Sequence, residues 1–182
     1  VSIDGDISPS DCTFVLANGS AGNEPVDFDN GEAFQEALNT VCTRLAKSIA
    51  RDGEGATKLI EVMVEGAEDQ LWARRAARAV ASSQLVKAAI HGNDPNWGRV
   101  VAALGRSGAR VREDKLDVYL NEVCVVKQGS LFPFNKVDMI TTLGNTDNVL
   151  IKLCVNLGDG KATAWGCDLS EEYVTINSAY TT

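Results

Sequence analysis

The amino-acid sequence predicts an α+β fold, because helical periodicity dominates its first half and short strand patterns dominate its second. In the first half, apolar residues recur at intervals of three and four, which is typical of amphipathic helices. After Gly108, short segments rich in β-branched residues are separated by turn signals such as Gly144-Asn145 and Gly158-Asp159-Gly160. A helical half followed by a strand-rich half favours α+β over alternating β-α-β units.

The first half contains four predicted elements. An amphipathic helix over residues 32–50 is indicated by five apolar positions, Phe34, Leu38, Val41, Leu45 and Ile49, and Asp29 or Asn30 is its predicted cap. A strand is predicted over 59–65, where β-branched residues alternate with charged ones. An alanine-rich helix is predicted over 70–82, with Trp72, Ala76 and Val80 on one face, and a short helical segment over 85–90.

The segment from His91 to Arg99 combines a helix start with residues that ordinary packing would not choose. Asp94 is the predicted cap of a helix that begins at Pro95, where the missing N–H costs nothing. Val100, Val101 and Leu104 would give this helix an apolar face, and Gly105 or Gly108 would end it.

The second half is predicted to consist of short strands. Their ranges are 116–120, 122–126, 149–155, 161–165 and 173–176. The change from helical to strand patterns suggests two segments, 1–85 with the long amphipathic helix and a smaller strand-rich domain over 86–182.

Composition excludes several classes of partner. The chain of 182 residues is 45% hydrophobic, which is enough for a real core, and its formal charge is −8. Without clustered Lys or Arg, this charge argues against nucleic acid and anionic membranes as partners. The densest basic group, Arg74, Arg75 and Arg78, is interpreted as a solvated helical turn. No apolar run approaches the length of a membrane span.

The five cysteines indicate a reducing compartment. Their number is odd and they form no C-x-x-C pair, which argues against a disulfide framework and a zinc site. Cys42 and Cys154 lie in apolar patterns, so each is predicted to be a small buried hydrophobic residue.

Several common chemical motifs are absent from the sequence or incomplete in it. The sequence contains neither a dinucleotide fingerprint nor a phosphate loop. A Cys167 nucleophile with His91 as base and Asp168 as orienting acid is conceivable, but we favour a polar loop role for His91. The early acids Asp4, Asp6 and Asp11 lack the later ligands of a calcium loop, so turn and capping roles are preferred.

Glu54 is bracketed by Gly53 and Gly55 between a helix end and a strand. Glycine at such a place permits a tight turn or the close approach of a ligand to the backbone. Local sequence alone therefore leaves two interpretations open, a solvated glutamate after a helix cap or a ligand-binding carboxylate.

Four motifs in order resemble one enzyme family. They are Ser2-Ile3-Asp4-Gly5-Asp6, the segment from Asp52 to Lys58, the segment from His91 to Arg99, and the stretches 165–169 and 177–182 near the end. Together they are similar to the ornithine acetyltransferase (glutamate N-acetyltransferase) family of arginine biosynthesis. Against the motif of many members, Ile7 and Pro9 replace hydroxyl residues.

The resemblance implies a fold and a set of site residues. It implies that the chain forms part of an αββα-type sandwich body followed by the smaller strand-rich domain. Glu54, Asn177 and Thr182 match the family's substrate-binding positions, whereas no catalytic residue falls within this chain. In the family, a threonine at the start of the second chain carries the acetyl group, so the sequence is expected to be the C-terminal part of that β chain, and the threonine to lie outside it.

The resemblance also implies an activity and partners. The reaction is transfer of acetyl from N-acetylornithine to glutamate through an acetyl-threonine intermediate, with no metal and no other cofactor. The implied protein partners are the family's α chain and the rest of the β chain, in a hetero-oligomer, and without them this chain is expected to be inactive. A cytoplasmic location is expected, or a plastid or mitochondrion if a transit peptide lies upstream. The alternative hypothesis is a non-catalytic domain of the same fold that binds an amino acid or a partner.

Overall fold

The computed structural model describes residues 1–8 and 10–179, and this part of the chain folds as six α-helices and one six-stranded sheet. The elements in chain order are α1 (Glu32–Arg51), β1 (Leu59–Ala67), α2 (Gln70–Ala81), α3 (Gln84–His91), α4 (Trp97–Arg106), β2 (Asp117–Leu120), β3 (Val123–Lys127), β4 (Ser130–Leu131), α5 (Lys136–Gly144), β5 (Asn148–Cys154), β6 (Gly160–Cys167) and α6 (Glu171–Ala179). The α+β prediction is confirmed.

The sheet is mixed, with strand order β4-β3-β2-β5-β1-β6. β1 pairs in parallel with β5, where Leu59 lies opposite Asn148, and antiparallel with β6, where Leu59 lies opposite Cys167. The remaining pairs are antiparallel. One sheet thus contains strands from both predicted segments, and the boundary near residue 85 stays a prediction.

One face of the sheet forms the hydrophobic core. Ile60, Val62 and Val64 of β1 are fully buried there beside Ile151 and Leu153 of β5. Helix α2 covers them with small residues, Ala73, Ala76, Ala77 and Val80, and α4 adds Val100, Ala103 and Leu104. The small alanine side chains let α2 lie close to the strands. Each buried valine or leucine contributes about 1.5–3 kcal/mol.

The opposite face of the sheet is more polar and only partly covered. Glu65 and Lys152 form an ion pair on neighbouring strands, with 2.8 Å between Oε2 and Nζ. Helix α1 crosses part of this face through Lys47, whose Nζ lies 2.7 Å from Glu61 Oε2 and 5.7 Å from the centre of the Trp165 ring. These contacts use the polar side of α1.

The apolar stripe of α1 faces solvent, although the predicted helix is confirmed. Phe34, Val41, Leu45 and Ile49 are each more than half exposed, and Ala50 is the helix's buried residue. Cys42 is also exposed and Cys154 half-buried, so the prediction that both are buried was wrong. An amphipathic helix normally buries this stripe, so α1 presents a surface suited to a packing partner.

The segment before α1 is exposed as well. From Ile7 to Asn30, its described residues form no helix or strand, and Phe14, Leu16 and Phe28 are each at least 79% exposed. Within residues 1–8 and 10–179, no helix combines the length and apolar content needed to cross a membrane.

Two predicted helix caps were wrong by a residue or two. Helix α4 begins at Trp97, and its cap is Asn96, whose Oδ1 accepts a hydrogen bond from the amide of Arg99 at 3.2 Å. Asp94 instead accepts from the Asn96 side chain at 3.0 Å, so it orients the cap rather than acting as one. Gly31 occupies the cap of α1 without a side-chain hydrogen bond.

The C-terminal part of the chain departs most from the prediction. Residues 173–176 were predicted to form a strand from their β-branched residues, but they lie within α6. Helix α5 and the two-residue strand β4 were not predicted. In α5, Asn135 provides the cap by accepting from the amides of Val137 and Asp138.

Candidate functional site

Two of the three predicted site residues meet in the structure. Glu54 lies in the turn between α1 and β1, and Asn177 lies in the last part of α6. The Asn177 Nδ2 donates to Glu54 Oε2 at 2.5 Å and to the carbonyl of Tyr173 at 3.0 Å. The third residue, Thr182, lies outside the described residues. Glu54 and Asn177 are therefore neighbours although they are 123 positions apart in the sequence.

Both side chains line a cleft of about 650 Å³, here called the Glu54 cleft. Four further carboxylates line it, those of Asp4, Asp6, Asp11 and Asp52. The concentration of negative charge favours a cationic group in this cleft. Asp4 also accepts hydrogen bonds from the amide of Asp6 at 2.9 Å and from the Tyr173 hydroxyl at 3.2 Å, which confirms its predicted role in a turn.

Ser170 joins the Glu54 turn to α6. Its buried hydroxyl donates to the carbonyl of Gly55 at 2.6 Å and accepts from the amide of Tyr173 at 3.3 Å. One side chain therefore anchors the residue next to Glu54 and the first turn of the helix that carries Asn177. Ser170 was not singled out from the sequence, where a serine before two acids indicates only a helix start.

Gly55 is constrained by this junction, since its φ is +67° and a Cβ built on it would lie 2.6 Å from the Tyr173 nitrogen and 2.7 Å from Ser170 Oγ. Gly55→Ala should therefore lower the free energy of unfolding by about 1–3 kcal/mol through backbone strain and overpacking. Urea denaturation would measure this loss.

Gly105→Ala is a matched control for Gly55→Ala, because Gly105 lies in α4 and a Cβ there would meet nothing within 4 Å. It should be neutral or stabilising by about 0.5–1 kcal/mol through helix propensity. Equal unfolding midpoints for the two variants would contradict the assigned packing at Gly55.

A buried carboxylate, Asp168, anchors the strand that follows the Glu54 turn. It accepts from the backbone amides of Thr57 and Lys58, both at 2.8 Å, from the Thr57 hydroxyl at 2.5 Å and from His91 Nδ1 at 2.7 Å. Burial alone would raise the pKa of Asp168, but these hydrogen bonds outweigh burial and hold the pKa below its usual value. Asp168 is therefore held as a carboxylate.

His91 is a structural link rather than a polar loop residue. It is the last residue of α3, and while Nδ1 bonds to Asp168, Nε2 lies 3.3 Å from Glu171 Oε2 at the start of α6. The loop interpretation of His91 was therefore wrong. The contact with Asp168, which the conceivable Cys167 arrangement included, joins residues 77 positions apart.

The conceivable Cys167 nucleophile is not assembled. Its Sγ lies 3.5 Å from Lys87 Nζ and 3.9 Å from the carbonyl of Ile3, while His91 is engaged by two carboxylates. Burial raises the pKa of the Cys167 thiol, which disfavours the reactive thiolate. The fully buried Lys87 ammonium also donates to the Cys167 carbonyl at 2.5 Å, so this pair is part of the packing.

Lys58 connects β1 to the segment from His91 to Arg99. Its ammonium donates to the Asn93 side chain and, at 2.6 Å, to the carbonyl of Leu143 at the end of α5. Burial lowers the pKa of Lys58. Asn93 adopts a left-handed conformation with φ of 56°, which asparagine tolerates better than most residues. The segment from His91 to Arg99 thus anchors Lys58, which lies between the Glu54 turn and β1.

Comparisons with known proteins agree with this fold and these motifs. The model of the ArgJ family matches residues 1–182. Over its full length the chain is 52% identical to the Arginine biosynthesis bifunctional protein ArgJ of Dehalococcoides mccartyi and 47% identical to the protein of that name from Bacillus licheniformis. It covers 45% of each, so it spans less than half the length of these curated relatives.

A solved structure also matches. The crystal structure of Arginine biosynthesis bifunctional protein argJ from Bacillus halodurans aligns with a TM-score of 0.95 and 41% identity, over 98% of this chain and 85% of that one. The family model, the identities and the common fold together establish what the four sequence motifs indicated: the chain belongs to the ArgJ family.

Proposed function

We propose that this chain forms the substrate-binding part of an acyltransferase that moves acetyl from N-acetylornithine to glutamate. The observation that supports the proposal best is the hydrogen bond between Glu54 and Asn177 at the wall of the acidic Glu54 cleft. Both residues match positions that the family resemblance assigns to substrate binding. The names of the curated relatives, which refer to arginine biosynthesis, agree with a substrate of the ornithine type.

The chemistry of the Glu54 cleft fits ornithine. A carboxylate can accept a charge-assisted hydrogen bond from the δ-ammonium of N-acetylornithine, and the neighbouring acids reinforce the attraction for a cation. Asn177 supplies both a donor and an acceptor for the amino-acid head group. Because its Nδ2 contacts Glu54, it also fixes the orientation of that carboxylate. Thr182 is proposed to complete the site, as the resemblance implies.

The bond-forming step is assigned to residues outside this chain. A threonine hydroxyl would attack the acetyl carbonyl, release ornithine and later pass the acetyl group to glutamate. Hydrogen-bond donors would stabilise the tetrahedral oxyanion. In this scheme the chain binds and orients the two amino acids in turn, and the reaction as proposed requires no cofactor.

The remainder of the protein is proposed to pack on α1 and on the exposed segment that precedes it. The apolar stripe of α1 is exposed, and so are the phenylalanines Phe14 and Phe28 of the preceding segment, which is an unusual amount of exposed apolar surface. Beside α1, a groove of about 900 Å³ opens over the polar face of the sheet. A second sheet placed over this face would complete an αββα sandwich, with the family's α chain and the rest of the β chain as partners in a hetero-oligomer.

Residues 1–182 expressed alone should self-associate and fail to transfer acetyl, because they lack the threonine and expose the stripe of α1. Replacing Leu45 and Ile49 together by lysine should shift the population toward monomer in sedimentation velocity. Asn39→Lys, an exposed change on the polar side of the same helix, is the matched control and should leave self-association unchanged.

The complete protein, with its remaining segments, should transfer acetyl from N-acetylornithine to glutamate and accumulate an acetylated threonine detectable by mass spectrometry. Acetyl transfer by residues 1–182 alone would overturn the proposed division of labour. Binding of amino acids by the complete protein without any transfer would instead support the non-catalytic alternative.

A further inference from the structure

A second, basic cleft lies between the start of α3 and one face of α4. It measures about 500 Å³ and is here called the α3–α4 cleft. Ser82, Ser83, Arg99 and Arg106 line it, and Ala102 and Ala103 form an apolar floor. No carboxylate lines it, in a chain whose formal charge is −8. Its charge is therefore opposite to that of the Glu54 cleft.

The start of α3 leaves polar groups unpaired in this cleft. Ser83 is the cap residue, but its side chain forms no capping hydrogen bond, so the first amides of the helix lack a side-chain acceptor. Ser83 is only 7% exposed, and its hydroxyl has no hydrogen-bond partner among the described residues. Ser83 lines the cleft beside the first amides of α3, so both its hydroxyl and these amides can donate to a ligand oxygen.

Two arginines of α4 also line the α3–α4 cleft. Arg99 and Arg106 are seven residues apart, which places them on the same side of α4. One nitrogen of Arg99 donates to the carbonyl of Leu85 at 3.0 Å, which holds its guanidinium at the start of α3. Within the described part of the chain, Arg106 forms no ion pair or side-chain hydrogen bond, so its guanidinium is available to a ligand.

We propose that the α3–α4 cleft binds the phosphate group of a small-molecule ligand. Helix amides, a serine hydroxyl and guanidinium groups are donors that recognise phosphate oxygens, and here they line one cleft. The site goes beyond the proposed acetyl transfer. It lies at the opposite end of α3 from His91, and an eight-residue helix spans about 12 Å.

The test is isothermal titration of the complete protein with inorganic phosphate, compared with acetate at equal ionic strength. Phosphate should bind saturably at one site per chain. Arg106→Gln should weaken binding by about tenfold or more, the effect of losing one charged hydrogen bond. Arg74→Gln, an exposed change on α2 that does not line the cleft, is the matched control and should leave binding unchanged.

Ser83→Asp distinguishes a phosphate site from a merely structural role. The new carboxylate would cap α3 and place a fixed negative charge in the cleft, so phosphate binding should disappear while the melting temperature stays equal or rises. Equal affinity for phosphate in wild type, Arg106→Gln and Ser83→Asp would overturn the proposal. So would heats for phosphate that match those for acetate. Either result would leave the assignment of the Glu54 cleft untouched.

Discussion

Replacing Glu54 by Gln in the complete enzyme is expected to lower kcat/KM for N-acetylornithine by about 10- to 100-fold, which corresponds to roughly 1.5–3 kcal/mol for a charged hydrogen bond. The substitution preserves shape and removes charge. Asn177 Nδ2 can still donate to the remaining amide oxygen, so the turn should keep its conformation. The loss would then report the attraction between the carboxylate and the substrate's δ-ammonium.

Measuring the two half-reactions separately makes the Glu54→Gln experiment more specific. In a double-displacement mechanism, kcat/KM for the donor and for the acceptor can be measured separately. Glutamate lacks a δ-ammonium, so Glu54→Gln should affect kcat/KM for glutamate much less than for N-acetylornithine. Glu172→Gln, an exposed change on α6 that does not line the Glu54 cleft, is the control. Unchanged donor kinetics in Glu54→Gln would disprove the assigned role.

Local periodicity explains why much of the fold could be predicted from the sequence. The helix over 32–50 and the strand over 59–65 were confirmed within two residues at each end, because their spacing of apolar residues is set by helix and strand geometry. The spacing of apolar residues does not indicate which part of the protein covers each face of a helix or strand. The apolar stripe of α1 was correctly located and yet faces solvent, since periodicity says nothing about which partner buries it.

Helix α6 shows where local preference fails. Val174, Thr175 and Ile176 favour strands by composition. In the structure, the Ser170 hydroxyl accepts a hydrogen bond from the amide of Tyr173. The Tyr173 hydroxyl donates to Asp4, and the Asn177 side chain donates to Glu54. These tertiary contacts hold the segment as a helix. Every one of these contacts except the first links residues more than 100 positions apart, beyond the reach of a sequence window.

The candidate site, too, could be predicted from the sequence only in part. The family resemblance named Glu54 and Asn177 as site residues, because each lies in a recognisable motif, but it did not predict the hydrogen bond between them. Asp168 was considered only as the acid that orients His91 behind a Cys167 nucleophile. Its contact with His91 is present, but its other partners, Thr57 and Lys58, lie 111 and 110 residues away. Nothing in the sequence near Asp168 indicates that its carboxylate closes a buried network.

Asp168→Ala is expected to lower the free energy of unfolding by about 3–5 kcal/mol, the range found when one partner of a buried charged network is removed. The variant would leave two backbone amides and the Thr57 hydroxyl without their acceptor, and His91 without its Nδ1 partner. Urea denaturation would measure the loss. Asp159→Asn, an exposed change in the turn between β5 and β6, should alter stability by less than about 0.5 kcal/mol.

The same carboxylate predicts how stability depends on pH. Because hydrogen bonds lower the pKa of Asp168 in the folded state, the unfolded chain binds a proton more readily, so folding stability rises with pH between the two pKa values. The contribution of Asp168 is complete above the pKa of the unfolded carboxyl, about 3.9, and is lost as pH falls through the lower folded value. Asp168→Asn removes this titration, so the stability gap between wild type and Asp168→Asn should narrow as the pH falls below about 4. A gap that stays constant down to the acid unfolding of both proteins would show that the Asp168 carboxylate is not preferentially ionised in the fold.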